Sequence, residues 1–392
     1  MALSIPSSDE KRGNFIGGAL VPPQAGQYEP CRNPADIRDV LGLYPRSAVG
    51  DARAAVDAAC AAFPSWAATP GPERGRVLLR AHRALSEQID LLAEALCREE
   101  GKTLSESRGE VQKGLNLIEF YAGQGFRMQG RTLPSESRST LAFTLRQPVG
   151  PVALITPWNF PFALPVWKTM PALIAGCTAV LKPASLTPNL THFMAQALHE
   201  AGLPPGVLNV ITGPGGAIGD ALVDDPRIRA ISFTGSNQVG LRVYSRAAAR
   251  GVRVTCEMGG KNPVVVLDDA DLDLAVEGIV QGAYGSTGQR CTATARVVAT
   301  PGIRPRLTEA LVARVRALEV GDGRRKGVQM GPAVDQGQLQ VDLDAIAAAK
   351  SDGARLLAGG ERLAGGAYEH GFYVAPTLFD GVEPGSRLAR EE

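Results

Sequence analysis

From Gly150 onward, short apolar runs alternate with stretches of helical periodicity. VALIT, TAVLK, VLNVIT, IRAISFT and VRVTCEM are the apolar runs. FALPVWKTMPALIAG, NLTHFMAQALHEAG, GGAIGDALV and NQVGLRVYSRAAAR lie between them. Near-continuous apolar strands linked by helices predict a parallel sheet covered on both faces, a doubly wound α/β domain. A second α/β unit follows: the strand PVVVLDD, a helix from Asp271, the strand TARVVAT and a helix from Pro305 to Glu319. The domain boundary is expected near Gly259–Gly260.

Upstream, residues 1–50 read as loops and short strands rich in Pro and Gly. Three helical stretches come next: DARAAVDAACAAFPSWAA, the run from Pro72 to Glu100, and SRGEVQKGLNLIEFYAGQG. In the second, Val77, Leu78, Ala81, Leu85, Ile89, Leu92 and Leu96 recur at helical spacing, and Gly101 reads as its C′ residue. Residues 128–147 carry a polar turn, Pro134 to Ser139, between strand-like flanks, which predicts a protruding hairpin.

With 392 residues, 44% hydrophobic and 21% charged, the chain is long enough for two or three well-cored domains. Its 41 basic and 40 acidic residues nearly cancel, leaving no charge footprint for nucleic acid or an anionic membrane. No apolar run reaches the roughly 18 to 20 residues that span a bilayer. The N-terminus lacks a secretory pattern, and six cysteines without CxxC spacing point to a reducing cytoplasm. Four histidines in unhelpful contexts make a metal site or a Cys–His dyad improbable.

Candidate chemistry gathers where the strands end. In GSTGQRCTATAR, a Gly/Ser/Thr loop delivers Cys291 to the first position of a β-branched run, with Gly285, Gly288 and the cation Arg290 around it. Open backbone and a nearby cation favour a thiolate. The plainer reading, a small buried hydrophobe, suits Cys60, Cys97, Cys177 and Cys256, while Cys31 falls in a Pro-flanked loop. Asn159 in TPWNFPF is either a helix cap or an amide donor to a developing oxyanion. Lys182 and Ser185 in KPAS are either a solvated strand end or a sugar- or phosphate-binding pair. GPGGAIG, with glycines at 213, 215 and 219, is a weak dinucleotide signal, with one residue too many before its last glycine. Phe233-Thr-Gly-Ser236 opens a helix whose first amides suit a diphosphate. Glu257, before the double glycine, is an ion-pair partner or a general base.

With TPWNFPF, KPAS, FTGS, CEMGGKNP and GQRCTA in this order, the chain resembles the NAD(P)-dependent aldehyde dehydrogenase superfamily. The five motifs stand in register from Thr156 to Thr292, and the likeness extends from the N-terminal GGAL to the last residue. The resemblance implies a cofactor domain over 1–127 and 148–259, an oligomerisation hairpin over 128–147 and a catalytic domain over 260–392. Carried over singly, Cys291 matches the nucleophile, Glu257 the hydrolytic base and Asn159 the oxyanion amide. Thr156, Pro157, Trp158 and Gly235 match the cofactor cleft, and Lys182 and Ser185 the adenosine ribose. Gly213 matches the adenine cleft, Ser236 a diphosphate contact and Glu392 the residue holding the nicotinamide ribose.

PFALPVWK, EMGGKNPVVVLDDADLDLA and STGQRCTATAR look most like the branch that oxidises α-ketoglutarate semialdehyde. Trp167 stands where succinate semialdehyde dehydrogenases usually carry an Arg. Arg290 is a candidate partner for a substrate carboxylate, or equally a surface or cofactor-side cation. Ser185 replaces the Glu that NAD-preferring relatives tend to carry, so NADP is expected to serve at least as well as NAD. The expected partners are a small aldehyde and other copies of the chain, in a homodimer or homotetramer. Two alternatives stay open: a CoA-acylating enzyme, against which Glu257 argues, and a catalytically silent binding homologue. The closing SRLAREE matches the start of a family stretch that continues further, so the chain is expected to be part of a longer polypeptide.

Overall fold

The computed structural model describes residues 3–391. Two compact units emerge: Met1–Cys31, Leu41–Ala95 and Arg108–Glu257 form one, and Arg32–Val40, Leu96–Ser107 and Met258–Glu392 the other.

The first elements of the chain are short. Strands β1 (Asn14–Ile16) and β2 (Ala19–Val21) form an antiparallel hairpin around Gly17 and Gly18, whose φ values of 61° and 83° suit a two-residue turn that only glycine enters freely. The hairpin joins the large sheet at its edge, through Phe15 opposite Val210. Strands β3 (Tyr28–Asn33) and β4 (Asp36–Pro45) follow. Cys31 lies within β3, buried among Leu41 and Tyr44, and not in a loop as its flanking prolines suggest.

Helices α1 (Val49–Ala68), α2 (Gly71–Ser86), α3 (Ile89–Glu100) and α4 (Leu104–Gln124) come next. The expected single helix from Pro72 to Glu100 is therefore two. The Glu87 amide still bonds to Arg83 O at i−4, but the Gln88 amide bonds to Leu85 O at i−3 spacing, both at 3.1 Å, tightening the last turn until the α-helical ladder ends. Strands β5 (Thr132–Leu133) and β6 (Ala142–Phe143) pair antiparallel in the expected hairpin, with Leu133, Leu141, Phe143 and Leu145 exposed.

The sheet of the first unit is then built in chain order from β7 (Val152–Ile155), α5 (Ala163–Ile174), β8 (Ala179–Lys182), α6 (Asn189–Glu200), β9 (Leu208–Val210), α7 (Gly215–Asp224), β10 (Ala230–Gly235), α8 (Asn237–Ala249) and β11 (Arg253–Met258). Its spatial order is β11-β10-β7-β8-β9-β1-β2, with β10, β7, β8 and β9 mutually parallel. All residues of β7, β8 and β9 are buried, which explains their largely apolar character; the polar members, Lys182 and Asn209, are hydrogen-bonded to Pro183 O and Gly206 O. Winding reverses between β7 and β10, and the carboxyl ends of the strands on either side of that point leave the crevice where such sheets take ligands.

In the second unit, β12 (Asn262–Val266), α9 (Leu272–Tyr284) and β13 (Thr294–Ala299) make a parallel βαβ crossover. Asp271 caps α9, accepting the Leu274 amide at 3.0 Å. Helix α10 (Arg304–Arg316) closes the core with Leu307, Leu311 and Val315 against Val266, Val276, Ile279 and Val280. Among the described residues no helix is long and apolar enough to cross a membrane.

Candidate functional site

The crevice of the first unit encloses about 350 Å³. Ile155 and Thr156 from the end of β7, Phe233 and Thr234 from β10, and the first turns of α7 and α8 line it, together with Pro157, Trp158 and Ser236. Gly215, Gly216 and Gly219 are in its wall, and a Cβ on any of them would meet nothing within 4 Å. Backbone amides are thus open to close approach, and the N-terminal N–H groups of α7 and α8 lack intrahelical acceptors. Ser236 occupies the N-cap of α8 without using its side chain as a cap. The hydroxyls of Thr156 and Thr234 are buried with no hydrogen-bond partner among the described residues, a deficit that a polar ligand removes. Orphan donors at two helix starts, glycines without steric cover and unpartnered hydroxyls together fit a nicotinamide dinucleotide.

Gly213 is not in that wall; it is buried, and a Cβ there would meet the Ser47 amide nitrogen at 2.7 Å. Gly235 ends β10 beside Ser236. Lys182 is no solvated strand end. It is only 4% exposed, its Nζ donates to Pro183 O at 3.0 Å, and burial lowers its pKa to about 8. Ser185 lies half-buried in the turn after it.

The segment between β7 and α5 carries Asn159, half-buried. Thr187 Oγ1 donates to Trp158 O at 3.2 Å, and buried Glu110 accepts the Phe162 and Ala163 amides at 3.0 and 3.1 Å. A carboxylate brought from α4 thus caps α5 where its own sequence offers no cap. Trp167, one turn along α5, is 44% exposed with Lys113 Nζ 4.9 Å from its ring centroid. Glu257 is exposed on β11, which alternates between the core side, where Val254 and Cys256 pack, and the open side. Half-buried Lys168 donates to Ser232 Oγ at 2.8 Å. Desolvation pulls its pKa down to about 8, and the Glu257 charge opposes that shift.

Cys291 lies in the second unit and is the exposed member of the six cysteines; Cys31, Cys97 and Cys177 are buried, Cys60 and Cys256 half-buried. It is not the first residue of a strand, since β13 starts three positions later at Thr294. Instead Arg290 O accepts the Ala293 amide at 2.9 Å, closing a β-turn with Cys291 and Thr292 at its centre. That geometry places a thiol at a turn's tip and leaves the central N–H groups outside the turn's own hydrogen bond. Arg290 makes its hydrogen bonds within the second unit. Its Nη2 donates to Gln281 O and Gly282 O, both at 2.8 Å, so the guanidinium caps the last carbonyls of α9. Glu392 lies outside the described residues.

Two supporting residues escaped the motif reading. Glu110 has no local sequence signal, because its partners lie over fifty residues away. Glu106 does have one, the Thr103-Leu-Ser-Glu106 capping box, whose reciprocal bonds are formed at 3.0 and 3.3 Å.

A family model described as the aldehyde dehydrogenase family matches residues 21–392. The α-ketoglutaric semialdehyde dehydrogenase of Bacillus subtilis is 43% identical over 379 residues, covering 97% of this chain and 78% of that protein. The α-ketoglutarate semialdehyde dehydrogenase of Haloferax volcanii is likewise 43% identical over 379 residues, with the same coverage, 97% and 78%. A solved structure described as an NADP-dependent enzyme of E. coli superposes with a TM-score of 0.92 at 37% identity, covering 97% of this chain and 78% of that one. By sequence and by fold, then, the chain belongs to the aldehyde dehydrogenase family, oxidoreductases that act on small aldehydes with a nicotinamide cofactor.

Proposed function

We propose that this chain oxidises a semialdehyde bearing a distal carboxylate, α-ketoglutarate semialdehyde foremost, to the corresponding acid, using NADP at least as well as NAD. The observation that carries the reading is Cys291 itself, an exposed thiol at the tip of a tight turn. The Cys291 thiolate attacks the aldehyde carbon, and the Cys291 amide and the Asn159 side-chain amide donate to the oxyanion that forms. The nicotinamide, when bound, supplies the two-electron acceptor. What remains on Cys291 is a thioester, and Glu257 deprotonates the water that hydrolyses it.

The crevice lined by Thr156, Pro157, Trp158 and Ser236 is the cofactor cleft in this reading, with Gly235 just before Ser236 in the chain and with Lys182 and Ser185 at the adenosine ribose. A serine hydroxyl donates to a 2′-phosphate that a glutamate would repel, and Lys182 adds charge. The choice of aldehyde rests on the two semialdehyde dehydrogenases at 43% identity and on Trp167 beside α4. The 128–147 hairpin, with its exposed apolar side chains, is the proposed contact between copies in a homodimer or homotetramer. Cysteines in the thiol form suit a reducing cytoplasm.

Replacing Cys291 with Ala tests the reading directly, because it is expected to abolish cofactor reduction. Glu257→Gln should give a burst of up to one reduced cofactor per site and then stall. A panel of semialdehydes ranked by kcat/KM tests the substrate, and release of product only on adding CoA would replace hydrolysis with acyl transfer.

A further inference from the structure

Ser286 and Thr287, with φ of 51° and 57°, are the two non-glycine residues with left-handed backbone among the described residues. They are consecutive, and they stand five and four positions before Cys291. Conformations of this kind persist only where the surroundings over-determine them, and they concentrate at functional sites. Here the surroundings can be named. Glu106 Oε1 accepts the Ser286 amide at 2.6 Å across 180 residues of sequence. Its other oxygen, Oε2, accepts both the amide and the hydroxyl of Thr103, at 3.0 and 2.8 Å, so the carboxylate is tied to the first turn of α4.

A second tie lies beyond the thiol. Asn262 Nδ2 donates to Cys291 O at 2.8 Å and to Ala293 O at 3.1 Å. Asn262 opens β12 opposite Thr294, and a register irregularity separates it from Pro263. Pro263 offers no ladder N–H and restricts the residue before it to extended backbone. Asn262 is therefore held at the strand's start with both amide hydrogens directed at the carbonyls flanking Thr292.

We propose that Glu106 and Asn262 are positioning residues that hold the Cys291 turn from its two ends, fixing the direction of the thiol and of the Cys291 N–H. The inference rests on Cys291 being the nucleophile. Neither residue touches the reacting atoms in this scheme. Asn262 acts on the peptide that follows Cys291, and Glu106 on the strained pair that precedes it.

The test compares the parent chain with Asn262→Ala, Asn262→Asp, Glu106→Ala and Glu106→Gln. Asn262→Asp keeps the shape and removes the donors; Glu106→Gln keeps an acceptor for the Ser286 amide. Two readouts are taken: the acylation burst with aldehyde and cofactor, and the rate of Cys291 alkylation by iodoacetamide from pH 6 to 9, followed by peptide mass spectrometry. Both Asn262 variants and Glu106→Ala should slow the burst about tenfold or more, as loose placement of a reacting group does, with cofactor KM within about twofold. Burst amplitude per folded site should stay near that of the parent, and the alkylation profile should shift. Glu106→Gln should recover to within about threefold of the parent. Should an Asn262 variant fail to fold, the two Glu106 variants carry the same comparison.

Burst and alkylation rates of the Asn262→Asp and Glu106→Ala chains within twofold of the parent would overturn the proposal. So would a loss that merely follows the folded fraction. Alkylation needs no turnover, so a parent chain that reduces no cofactor with any aldehyde would refute the proposed function while leaving this comparison readable.

Discussion

Lys182→Met separates what the buried amine does for stability from what it does for the cofactor. Lys182 is 4% exposed, and burial lowers its pKa from 10.5 to about 8. Holding it charged at neutral pH therefore costs about 3 kcal/mol, from roughly 1.4 kcal/mol per pKa unit. Methionine removes that cost and leaves Pro183 O without its 3.0 Å partner, a loss of about 1 kcal/mol. The variant is expected to gain about 2 kcal/mol and melt about 4 to 8 °C higher in scanning fluorimetry.

The sign of the pH dependence follows from the depressed pKa. In the parent, stability is lowest below pH 8, where folded and unfolded chains both carry the charge. It rises between about pH 8 and 10.5 as the folded chain loses its proton first. The Met variant should lack this rise. Function should move the other way: loss of a charge-assisted hydrogen bond to a 2′-phosphate, about 1.5 to 3 kcal/mol, raises KM for NADP about 10- to 150-fold and KM for NAD much less. In the parent, KM for NADP should climb above about pH 8 while that for NAD changes little. A Met variant that melts lower than the parent and loses both cofactors by the same factor would refute the reasoning.

Ser185→Glu places a carboxylate where a 2′-phosphate is expected, so the ratio of kcat/KM for NADP to that for NAD should fall by at least about tenfold; an unchanged ratio counts against the assignment. Burial raises Asp342 on the helix Gln336–Ser351 to about 6, against a hydrogen bond from Gln338 at 2.9 Å. Since the folded chain binds that proton more tightly, stability should fall as pH rises from about 4 to 6. Asp342→Asn should flatten this and add about 2 kcal/mol at pH 7, read by urea unfolding. Leu141 and Phe143 on the hairpin are 73% and 56% exposed, so replacing both with Ser should reduce the sedimenting mass to that of one chain if the hairpin is the contact between copies.

Much of this molecule is written locally. Parallel strands covered on both faces are apolar almost throughout, so VALI and AVL announce β7 and β8 and their helices without any tertiary knowledge. The motifs between the elements, that of Cys291 among them, are equally local, because their residue types name candidate chemistry in a few consecutive letters. Short strands before residue 50 were legible too, but the hairpin at Gly17–Gly18 and its place on the edge of the large sheet were not: three-residue strands hold no pattern that names a partner.

Placement was decided elsewhere, by contacts between residues far apart in the chain. Sequence places the cation Arg290 next to Cys291, but that its Nη2 caps the end of α9 is set by the fold. Lys182 ends a strand in sequence and is buried in the fold, which lowers its pKa to about 8. Glu106 meets Ser286 across 180 residues, and Asn262 meets Cys291 across 29. A side chain's type fixes which bonds it is able to make. Which bonds form depends on the three-dimensional packing of elements whose proximity no local window of sequence contains.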